Sequence, residues 1–394
     1  MRVLYIEPYC GGSHAAFGEA LTGASWASWR SITMPARHWK WRMRGSAAFI
    51  ADSHAVLLAE PYDLVFASAY LALAELVGLC PQLARIPRVL YFHENQLAYP
   101  ARRSEPGGDG GRDLHFGFTQ LVSALAATRC VFNSAHNQAS FLAAGDELLA
   151  RMPDAVPRGW IAAIRDRSHV LGLPLALPQR GLDYADHADY ADLGAHERHQ
   201  GPLIVWNHRW EYDKGPDALV RMIDALLERG ATFRLAVCGQ SFRRRPPELV
   251  AAEPRWRAAL GDRLLVFGRL DDRRDYLELL GRAQLVLSTS VHEFFGISVL
   301  EAMHCGARPL VPDALSYPEL IPAEYRFSDE ADATAELERL CRAWTAGAID
   351  LRGDRRALTQ PHSAALVLPR YRALFEEVIA EFAGAGSVER PADK

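Results

Sequence analysis

Short apolar runs alternate with longer segments of helical periodicity along most of the chain. Each run is bounded by polar or turn-forming residues, which is typical of buried strands. The predicted strands are Val3–Ile6, Leu64–Ala67, Val89–Phe92, Cys130–Phe132, Leu203–Trp206, Phe233–Cys238, Leu264–Phe267, Leu285–Ser288 and Pro309–Val311. The predicted helices include Asp217–Glu228, Arg273–Arg282, Gly296–His304 and Ala364–Phe382. This alternation predicts an α/β fold with parallel sheets covered by helices on both faces.

The length of 394 residues and the apolar fraction of 49% indicate two globular domains. We predict two Rossmann-like, doubly wound domains that face a central cleft, at 1–179 and 202–362. The intervening segment 180–201 contains a near-repeat and few large apolar residues, which favours a linker. A helix at 363–384 is expected to pack back on the first domain. The glycine-rich segment 102–112 is a second candidate for a mobile loop.

The formal net charge of −4 argues against a non-specific polyanion binder. The charge is uneven, with a net of +2 over residues 1–178 and −6 over the remainder. The six cysteines form no Cys-x-x-Cys pair, which favours a reduced, cytoplasmic compartment. Neither a signal peptide nor a membrane span is predicted. The sequence does not indicate an oligomeric state.

Two glutamates in the second half, Glu293 and Glu301, lie eight residues apart and flank Gly296, where a predicted helix begins. A helix N-terminus offers backbone N–H groups and positive potential to a phosphate. A carboxylate has two acceptor oxygens, so it suits a pair of neighbouring hydroxyls. We therefore expect a sugar nucleotide here, with Glu293 on the hexose and Glu301 on the ribose. Phe295 and Ile297 belong to the same predicted donor site.

Two cations, Arg209 and Lys214, follow the strand Leu203–Trp206 and suit the donor diphosphate. They would also stabilise the charge that builds on the leaving group. Gly239 ends the next strand and would let backbone approach a ligand. Phe267 lies at a strand end where a base could meet backbone groups. Each feature alone is more often structural, and it is their combined order that indicates a donor site.

The first half has two polar segments at predicted strand ends. Gly12, Ser13 and His14 follow the first strand, where a double glycine allows a ligand to approach closely. Gly12 is a candidate donor-binding residue. Ser13 and His14 are candidate acceptor-binding residues, as are Glu94 and Asn95 of the next segment. A plain tight turn is an equally good interpretation. His93, Glu94 and Asn95 follow the strand Val89–Phe92 and suit the rim of an active site. His93 could bind a hydroxyl of the sugar or of the acceptor, although a lone histidine is more often structural.

A third segment, residues 35–44, interleaves cations with two tryptophans. Basic side chains bind phosphates, and indole rings can stack on unpaired bases. An equally good alternative is a solvated basic face with both tryptophans in the core. The candidate acceptor-binding residues of this segment are Arg37, Trp39, Lys40, Trp41 and Arg42, and Arg44 completes the basic set.

The segment 293–301 resembles the Glu-x7-Glu motif of retaining GT-B glycosyltransferases of the GT4 kind. Arg209 and Lys214 resemble the Arg and Lys that those enzymes place on the donor diphosphate. Longer stretches resemble the tRNA-queuosine α-mannosyltransferase family. They are Gly-Gly-Ser-His (11–14), Pro-Ala-Arg-x-Trp-x-Trp-Arg (35–42), Tyr-Phe-His-Glu-Asn-Gln (91–96) and Trp-x-His-Arg-Trp-Glu-x-Asp-Lys (206–214).

This resemblance implies a GT-B fold and transfer of mannose from GDP-mannose to the cyclopentenediol of queuosine in tRNA-Asp. It makes Glu293 and His93 the expected catalytic residues, with tRNA as the partner. No Asp-x-Asp lies in a plausible site, so we expect a retaining reaction without a metal or other cofactor.

Two alternatives remain open at this point. The first is a glycosyltransferase that uses another sugar nucleotide and a lipid, glycan or small-molecule acceptor. The second is a non-catalytic nucleic-acid-binding protein on a degenerate glycosyltransferase scaffold, although the donor residues argue against it.

Overall fold

A computed structural model describes residues 1–99, 114–179, 198–240 and 245–388 of the chain. The predicted loop at 102–112 and most of the predicted linker at 180–201 lie outside the described residues. The chain divides into two compact units. Unit 1 comprises Met1–Ala176 together with His362–Lys394, and unit 2 comprises Leu177–Pro361.

Unit 1 is built on a parallel sheet with the strand order β2-β1-β3-β4-β5-β6. Its strands are β1 (Arg2–Cys10), β2 (Ser28–Pro35), β3 (Leu64–Ser68), β4 (Arg88–Phe92), β5 (Arg129–Phe132) and β6 (Ser168–Val170). Its helices are α1 (Ser13–Thr22), α2 (Trp39–Ser53), α3 (Ala55–Leu58), α4 (Leu73–Leu79), α5 (Leu114–Ala126), α6 (Ala135–Ala150) and α7 (Trp160–Asp166). A later helix, Ala364–Val388, also belongs to this unit.

Unit 2 is built on a second parallel sheet with the strand order β12-β11-β10-β7-β8-β9. Its strands are β7 (Leu203–Trp206), β8 (Arg234–Cys238), β9 (Leu264–Gly268), β10 (Leu285–Leu287), β11 (Arg308–Pro312) and β12 (Arg326–Phe327). Its helices are α8 (Pro216–Glu228), α9 (Pro247–Leu260), α10 (Arg273–Arg282), α11 (Ile297–His304), α12 (Tyr317–Leu320), α13 (Glu330–Thr345) and α14 (Arg356–Thr359). The helix Ala364–Val388 of unit 1 is α15.

Each sheet has a topological switch point, where successive strands begin to be added on the opposite side. In unit 1 the switch lies between β1 and β3, and in unit 2 it lies between β7 and β10. Ligands of open parallel sheets bind outside the carboxyl ends of the strands at such a point. The loops that follow these four strands therefore define the two places where function is expected.

The predicted α/β class with two parallel sheets is confirmed. The sequence analysis missed β2, β6 and β12. In β2 only Ile32 and Met34 are buried, because this strand lies at the edge of its sheet and the other positions are exposed or half-buried. The two other strands are too short, at three and two residues, to give a periodic signal. Buried strands such as β3 and β7 were found because every residue in them is apolar or small.

All six cysteines are free, and five of them are buried. Among the helices of the described residues, none is both long and apolar enough to cross a bilayer.

Helix α15 contributes to the core of unit 1 although it is remote in sequence. Tyr371 and Phe375 are fully buried. The Tyr371 hydroxyl donates to the carbonyl oxygen of Gly172 at 3.0 Å. The ring of Phe375 lies 5.3 Å from that of Phe66 on β3 and 5.6 Å from that of Trp26, measured between centroids. Unit 1 therefore depends on a helix that follows unit 2 in the chain.

We expect the substitution Phe375→Ala to lower the free energy of unfolding of unit 1 by about 3–5 kcal/mol, because it leaves a cavity among aromatic rings. Arg372→Ala, on the exposed side of the same helix, should change it by less than about 0.5 kcal/mol. Urea denaturation followed by tryptophan fluorescence measures both. Equal effects of the two substitutions would show that α15 does not form part of the core.

Candidate active site

In unit 2 two loops leave the sheet at its switch point and carry five of the predicted donor residues, Arg209, Lys214, Glu293, Phe295 and Gly296. The loop 207–214 follows β7 and the loop 288–296 follows β10. The indole N–H of Trp206 donates to the Thr289 hydroxyl at 2.9 Å, and that hydroxyl donates to the carbonyl oxygen of Lys214 at 2.8 Å. These bonds hold the two loops in one arrangement.

Lys214 and Glu293 form a buried ion pair across the two loops. The Lys214 ammonium group lies 3.1 Å from the Glu293 carboxylate, 3.3 Å from that of Asp213, and donates to the carbonyl oxygen of His292 at 2.8 Å. Burial alone would raise the pKa of Glu293, but Lys214 and His208 outweigh it and lower that pKa to about 2. Glu293 is therefore ionised and held in place at neutral pH.

Arg209 lies beside this pair but is far more exposed. Its guanidinium group is 3.5 Å from the Glu211 carboxylate and 3.8 Å from that of Asp213, and 46% of its side chain remains exposed. The predicted cations thus differ in kind, because Lys214 is fixed inside the protein whereas Arg209 can reach an anion from the surface.

Glu301, on α11, binds two residues that the sequence analysis did not name. It forms an ion pair with Arg273, and the Tyr276 hydroxyl donates to it at 3.2 Å. The Asn207 amide donates in turn to the Tyr276 hydroxyl at 2.9 Å. Arg273 and Tyr276 lie one turn apart on α10. The Glu301 carboxylate is therefore oriented by α10 and by the β7 loop together.

The glycines of this site serve two different purposes. Gly296 has φ of 89° and precedes α11, and an added Cβ would lie 3.1 Å from the Tyr317 ring. Gly239 was predicted to let backbone approach a ligand. An added Cβ at Gly239 would instead lie 1.8 Å from the carbonyl oxygen of His208, so this glycine allows two protein loops to pack together.

The two apolar rings predicted for the donor site are directed into the protein. Phe295 is buried, and its backbone N–H lies 3.4 Å from Glu293 Oε1 as a long hydrogen bond. The half-buried Phe267 ring packs edge-on against Trp210, with centroids 5.1 Å apart. Ile297, the first residue of α11, is half-buried. Phe267 and Phe295 therefore support the site mainly through their backbone positions.

His208 is a further residue that the sequence analysis passed over. It is buried between the two loops, and its Nδ1 lies 3.4 Å from the Ser298 hydroxyl at the start of α11. Burial, and secondly the charge of Lys214, lower its pKa to about 4. His208 is thus a neutral imidazole at physiological pH. Its only sequence signal was its place next to Arg209.

In unit 1 the switch-point loops surround a carboxylate that is completely buried, Glu7 on β1. Its oxygens accept hydrogen bonds from the Tyr9 backbone N–H at 2.8 Å and the Ser68 hydroxyl at 2.9 Å. The third bond joins it to Nδ1 of His14 at 3.0 Å. In the sequence Glu7 directly follows the apolar run Val3–Ile6, where it looks like an ordinary residue at a strand end.

His93 completes this cluster from the end of β4. Its ring centroid is 3.9 Å from that of His14, and its Nε2 is 3.9 Å from the Glu7 carboxylate. That nitrogen is buried and has no hydrogen-bond partner among the described residues. Burial, and secondly His14, hold the pKa of His93 well below its usual value. His93 is therefore a neutral imidazole with a nitrogen available to a ligand.

The ligating atoms of Glu7, His14 and His93 all lie within 4.8 Å of one another, as in some metal sites. The lone pair of an imidazole nitrogen lies in the plane of its ring. Here the two rings are partly stacked, with 33° between their planes. The contacts that the structure shows within the cluster are the hydrogen bonds of Glu7 to Tyr9, Ser68 and His14.

The double glycine forms the turn between β1 and α1. Gly12 has φ of 55° and precedes α1, and an added Cβ would meet no atom within 4 Å. The open space at Gly12 and at the exposed Ser13 is where a ligand could approach. Gly11 instead packs on the next segment, since its Cβ would lie 2.5 Å from Cβ of Ala36.

The segment after β4 divides into a site residue and a structural one. Glu94 accepts a hydrogen bond from the Tyr70 hydroxyl at 2.6 Å and stays partly exposed. Asn95, predicted to bind the acceptor, is fully buried. Its amide N–H groups donate to Asn137 Oδ1 at 2.8 Å and to Ser140 at 3.1 Å. The Asn95 amide therefore holds the loop and does not face solvent, and its predicted contact with the acceptor stays a prediction.

The side chains of the basic segment 35–44 fall into an exposed group and a buried or half-buried group. Arg37, Lys40 and Trp41 are exposed, as is Arg44. Trp39 is half-buried against Phe116, with ring centroids 5.3 Å apart. Arg42 is buried, and its Nε donates to the carbonyl oxygen of Pro35 at 3.3 Å. Arg42 thus has a structural contact in the protein, and its predicted contact with the acceptor stays a prediction. Neither alternative for the two tryptophans holds for both of them.

Gly239→Ala should destabilise unit 2 strongly, because the new Cβ cannot coexist with the His208 carbonyl oxygen. Gly230→Ala is the matched control, since Gly230 has φ of 68° but an added Cβ meets nothing within 4 Å. We expect about 1–2 kcal/mol for Gly230→Ala and at least about twice that for Gly239→Ala. Urea unfolding measures both. A smaller effect at Gly239 would contradict the close packing of the loops.

The low pKa of His208 predicts an acid-sensitive unit 2. Between pH 6.5 and about 4 the unfolded chain binds a proton here that the folded chain does not. Stability should therefore fall as the pH drops through this window, by up to about 1.4 kcal/mol per pH unit from this group. His208→Asn should flatten the dependence, and replacement of the exposed His199 should not. Identical pH profiles for the wild type and His208→Asn would refute the assignment.

Two families match successive parts of the chain. Residues 2–175 match the family described as tRNA-queuosine alpha-mannosyltransferase N-terminal, and residues 195–340 match glycosyl transferases group 1. The tRNA-queuosine alpha-mannosyltransferase of Drosophila melanogaster is 35% identical over 348 residues, covering 86% of this chain and 87% of that protein. GDP-mannose:cellobiosyl-diphosphopolyprenol alpha-mannosyltransferase of Xanthomonas campestris is 28% identical over 132 residues, about a third of each chain.

Solved structures agree on the fold. Anabaena HepE in complex with UDP is 16% identical and superposes with a TM-score of 0.68, covering 96% of this chain and all of that one. Sucrose-phosphate synthase of Thermosynechococcus elongatus gives 0.67 at 17% identity, over 97% of this chain and all of that one. The predicted GT-B fold is thereby confirmed. The extent of the match to the Drosophila enzyme shows that the chain belongs to the tRNA-queuosine alpha-mannosyltransferase family.

Proposed function

We propose that this protein transfers mannose from GDP-mannose to the cyclopentenediol of queuosine in tRNA, with retention of the anomeric configuration. Its similarity to the Drosophila enzyme over most of both chains supports the acceptor. The observation that carries the chemistry is the buried pair of Lys214 and Glu293 at the switch point of unit 2. That position in a parallel sheet is where a nucleotide is expected.

The donor diphosphate lies between the N-terminus of α11 and the two cations. The backbone N–H groups at the start of α11, after Gly296, suit hydrogen bonds to an anion, and the helix dipole favours negative charge there. Lys214 supplies a fixed charge, and Arg209 supplies a charge that can adjust to the ligand. Because these groups balance the diphosphate, the proposed reaction requires no divalent cation.

The hexose lies against Glu293, whose two oxygens accept hydrogen bonds from sugar hydroxyls. The low pKa ensures that this carboxylate is a pure acceptor at neutral pH. Glu301 does the same for the ribose, in an orientation that Tyr276 maintains. In unit 1, the neutral His93 offers its Nε2 to a hydroxyl of a ligand.

The proposed step is a same-face substitution at the anomeric carbon. A hydroxyl oxygen of the cyclopentenediol forms the new bond to carbon while the bond from carbon to the β-phosphate oxygen breaks. The acceptor proton passes to that departing oxygen, so GDP leaves without a separate base. Lys214 and Arg209 stabilise the growing charge on the leaving group, which is where electrostatic catalysis is most effective.

The decisive experiment incubates the protein with GDP-mannose or UDP-glucose and with tRNA that contains or lacks queuosine. Digestion to nucleosides and mass spectrometry then identify the product. We expect one hexose on queuosine from GDP-mannose alone, unchanged by EDTA, with the α configuration by NMR. Transfer to tRNA without queuosine, or transfer to a lipid or glycan alone, would favour the other acceptor classes.

Glu293→Gln should lower kcat roughly 100-fold or more, because it removes the charge opposite Lys214 and one strong acceptor for the sugar. Glu293→Ala should be at least as severe. The control is Glu248→Gln on the exposed side of α9, which should leave kcat unchanged. Mannosyl-queuosine formation at saturating substrates is the readout. Near-normal turnover of Glu293→Ala would exclude this carboxylate from the reacting sugar.

A further inference from the structure

Helix α2 presents an aromatic surface that the fold of unit 1 does not use. Its buried side is formed by Arg42, Met43, Ser46, Ala47 and Ile50. On the opposite side Trp41 is 65% exposed and Phe49 is 51% exposed. Two large aromatic rings this accessible on one short helix are unusual, because each could bury apolar area elsewhere. We call Trp41, Gly45 and Phe49 the aromatic face of α2.

The backbone at Gly45 determines how the Trp41 indole lies. A Cβ added at Gly45 would stand 3.0–3.3 Å from three atoms of the indole ring. The ring therefore lies over the glycine one turn further along the helix. The indole lies close to this backbone, yet 65% of the Trp41 residue remains exposed. Glycine within a helix costs roughly 1 kcal/mol relative to alanine, so the flat ring is accommodated at some loss of helix stability.

Three cations border the aromatic face. Arg37, Lys40 and Arg44 are exposed, and none of them forms an ion pair with a carboxylate of the described residues. Lys40 and Arg44 lie over aromatic rings instead, at 5.7 Å from Trp39 and 5.6 Å from Phe116. The first acidic residue of α2 is Asp52, beyond Phe49. Positive charge beside flat rings suits an anionic polymer that carries planar groups.

We propose that the aromatic face of α2 is the stacking platform for unpaired bases of the RNA acceptor. Trp41 takes one base on its open side, and Phe49, about 12 Å further along the helix, takes another. Arg37, Lys40 and Arg44 hold the phosphates that link these bases. Trp39, half-buried against Phe116, supports the helix and takes no base. This inference rests on the proposed function for its RNA partner.

Stacking is a property of single strands, since the bases of a duplex are already stacked on one another. The platform therefore predicts a preference for a loop over a stem. A membrane or a second protein surface would also cover the two rings, but neither would distinguish an RNA loop from an RNA duplex. That difference is the basis of the test.

The experiment measures binding of a fluorescently labelled anticodon stem–loop, and of the same strand paired to its complement, by anisotropy. Trp41→Ala and Phe49→Ala should each weaken stem–loop binding roughly 5- to 150-fold, the range for one lost stack. Duplex binding should not change. The control is Val56→Ala, which removes an 85% exposed side chain from α3 and should have no effect. Unchanged stem–loop affinity in both aromatic variants would overturn the platform.

Two further variants separate stacking from charge and from folding. Gly45→Ala leaves Trp41 present but displaces the indole, so it should weaken stem–loop binding although alanine favours the helix. Salt dependence is measured as the slope of log affinity against log salt concentration. Lys40→Gln should reduce the magnitude of this slope by about 0.7, whereas Trp41→Ala should leave it unchanged. If Lys40→Gln weakens stem–loop binding and the aromatic variants do not, the face acts only through its charge and stacking is refuted.

The outcome is distinguishable from failure of the proposed function. If the wild type forms no mannosyl-queuosine but binds the stem–loop through Trp41 and Phe49, the platform stands and the reaction does not. If the wild type forms the product while both aromatic variants keep the normal KM for tRNA, the reaction stands and the platform does not.

Discussion

The ion pair between Lys214 and Glu293 is the interaction on which the donor half of the molecule depends. It joins the loop after β7 to the loop after β10, at the place where the sheet changes its direction of growth. A buried pair is weak support for stability in itself, but removal of one partner leaves an uncompensated charge. This arrangement therefore holds one ionised carboxylate at a strand end, but substitution of either residue would leave the other charge unpaired.

Unit 1 places a carboxylate at the equivalent point by different means. Glu7 has no lysine or arginine partner among its hydrogen bonds, and relies on a backbone N–H, a hydroxyl and an imidazole. Uncharged hydrogen-bond donors stabilise a carboxylate less than an ammonium group does. The two switch points thus carry the same kind of group in two electrostatic settings, one beside an ammonium group and one bonded to a backbone N–H, a hydroxyl and an imidazole.

The order of residues was sufficient to predict strands and helices that have a regular hydrophobic pattern. It was insufficient to predict contacts between residues that only the topology of the fold brings together. Buried strands such as β7, and the glycine that precedes α11, left clear signals in residue order. The Glu301 partners, Arg273 and Tyr276, lay on a helix that was predicted correctly, yet nothing in the order of residues places α10 beside α11. Glu7 and His208 were also missed, because in the sequence each looks like an ordinary residue at the end of a strand. Conversely, Arg42 and Asn95 looked chemically suitable, but burial gave them structural tasks.

The contact between Gly11 and Ala36 limits which residues the turn after β1 can accept. The absence of a side chain at Gly11 lets this turn rest directly on Ala36, the second residue of the basic segment. A Cβ at Gly11 would stand 2.5 Å from that of Ala36, and closely packed atoms leave no room for it. Any larger residue at position 11 would therefore have to part the turn that carries Gly12 and His14 from the segment that carries Arg37.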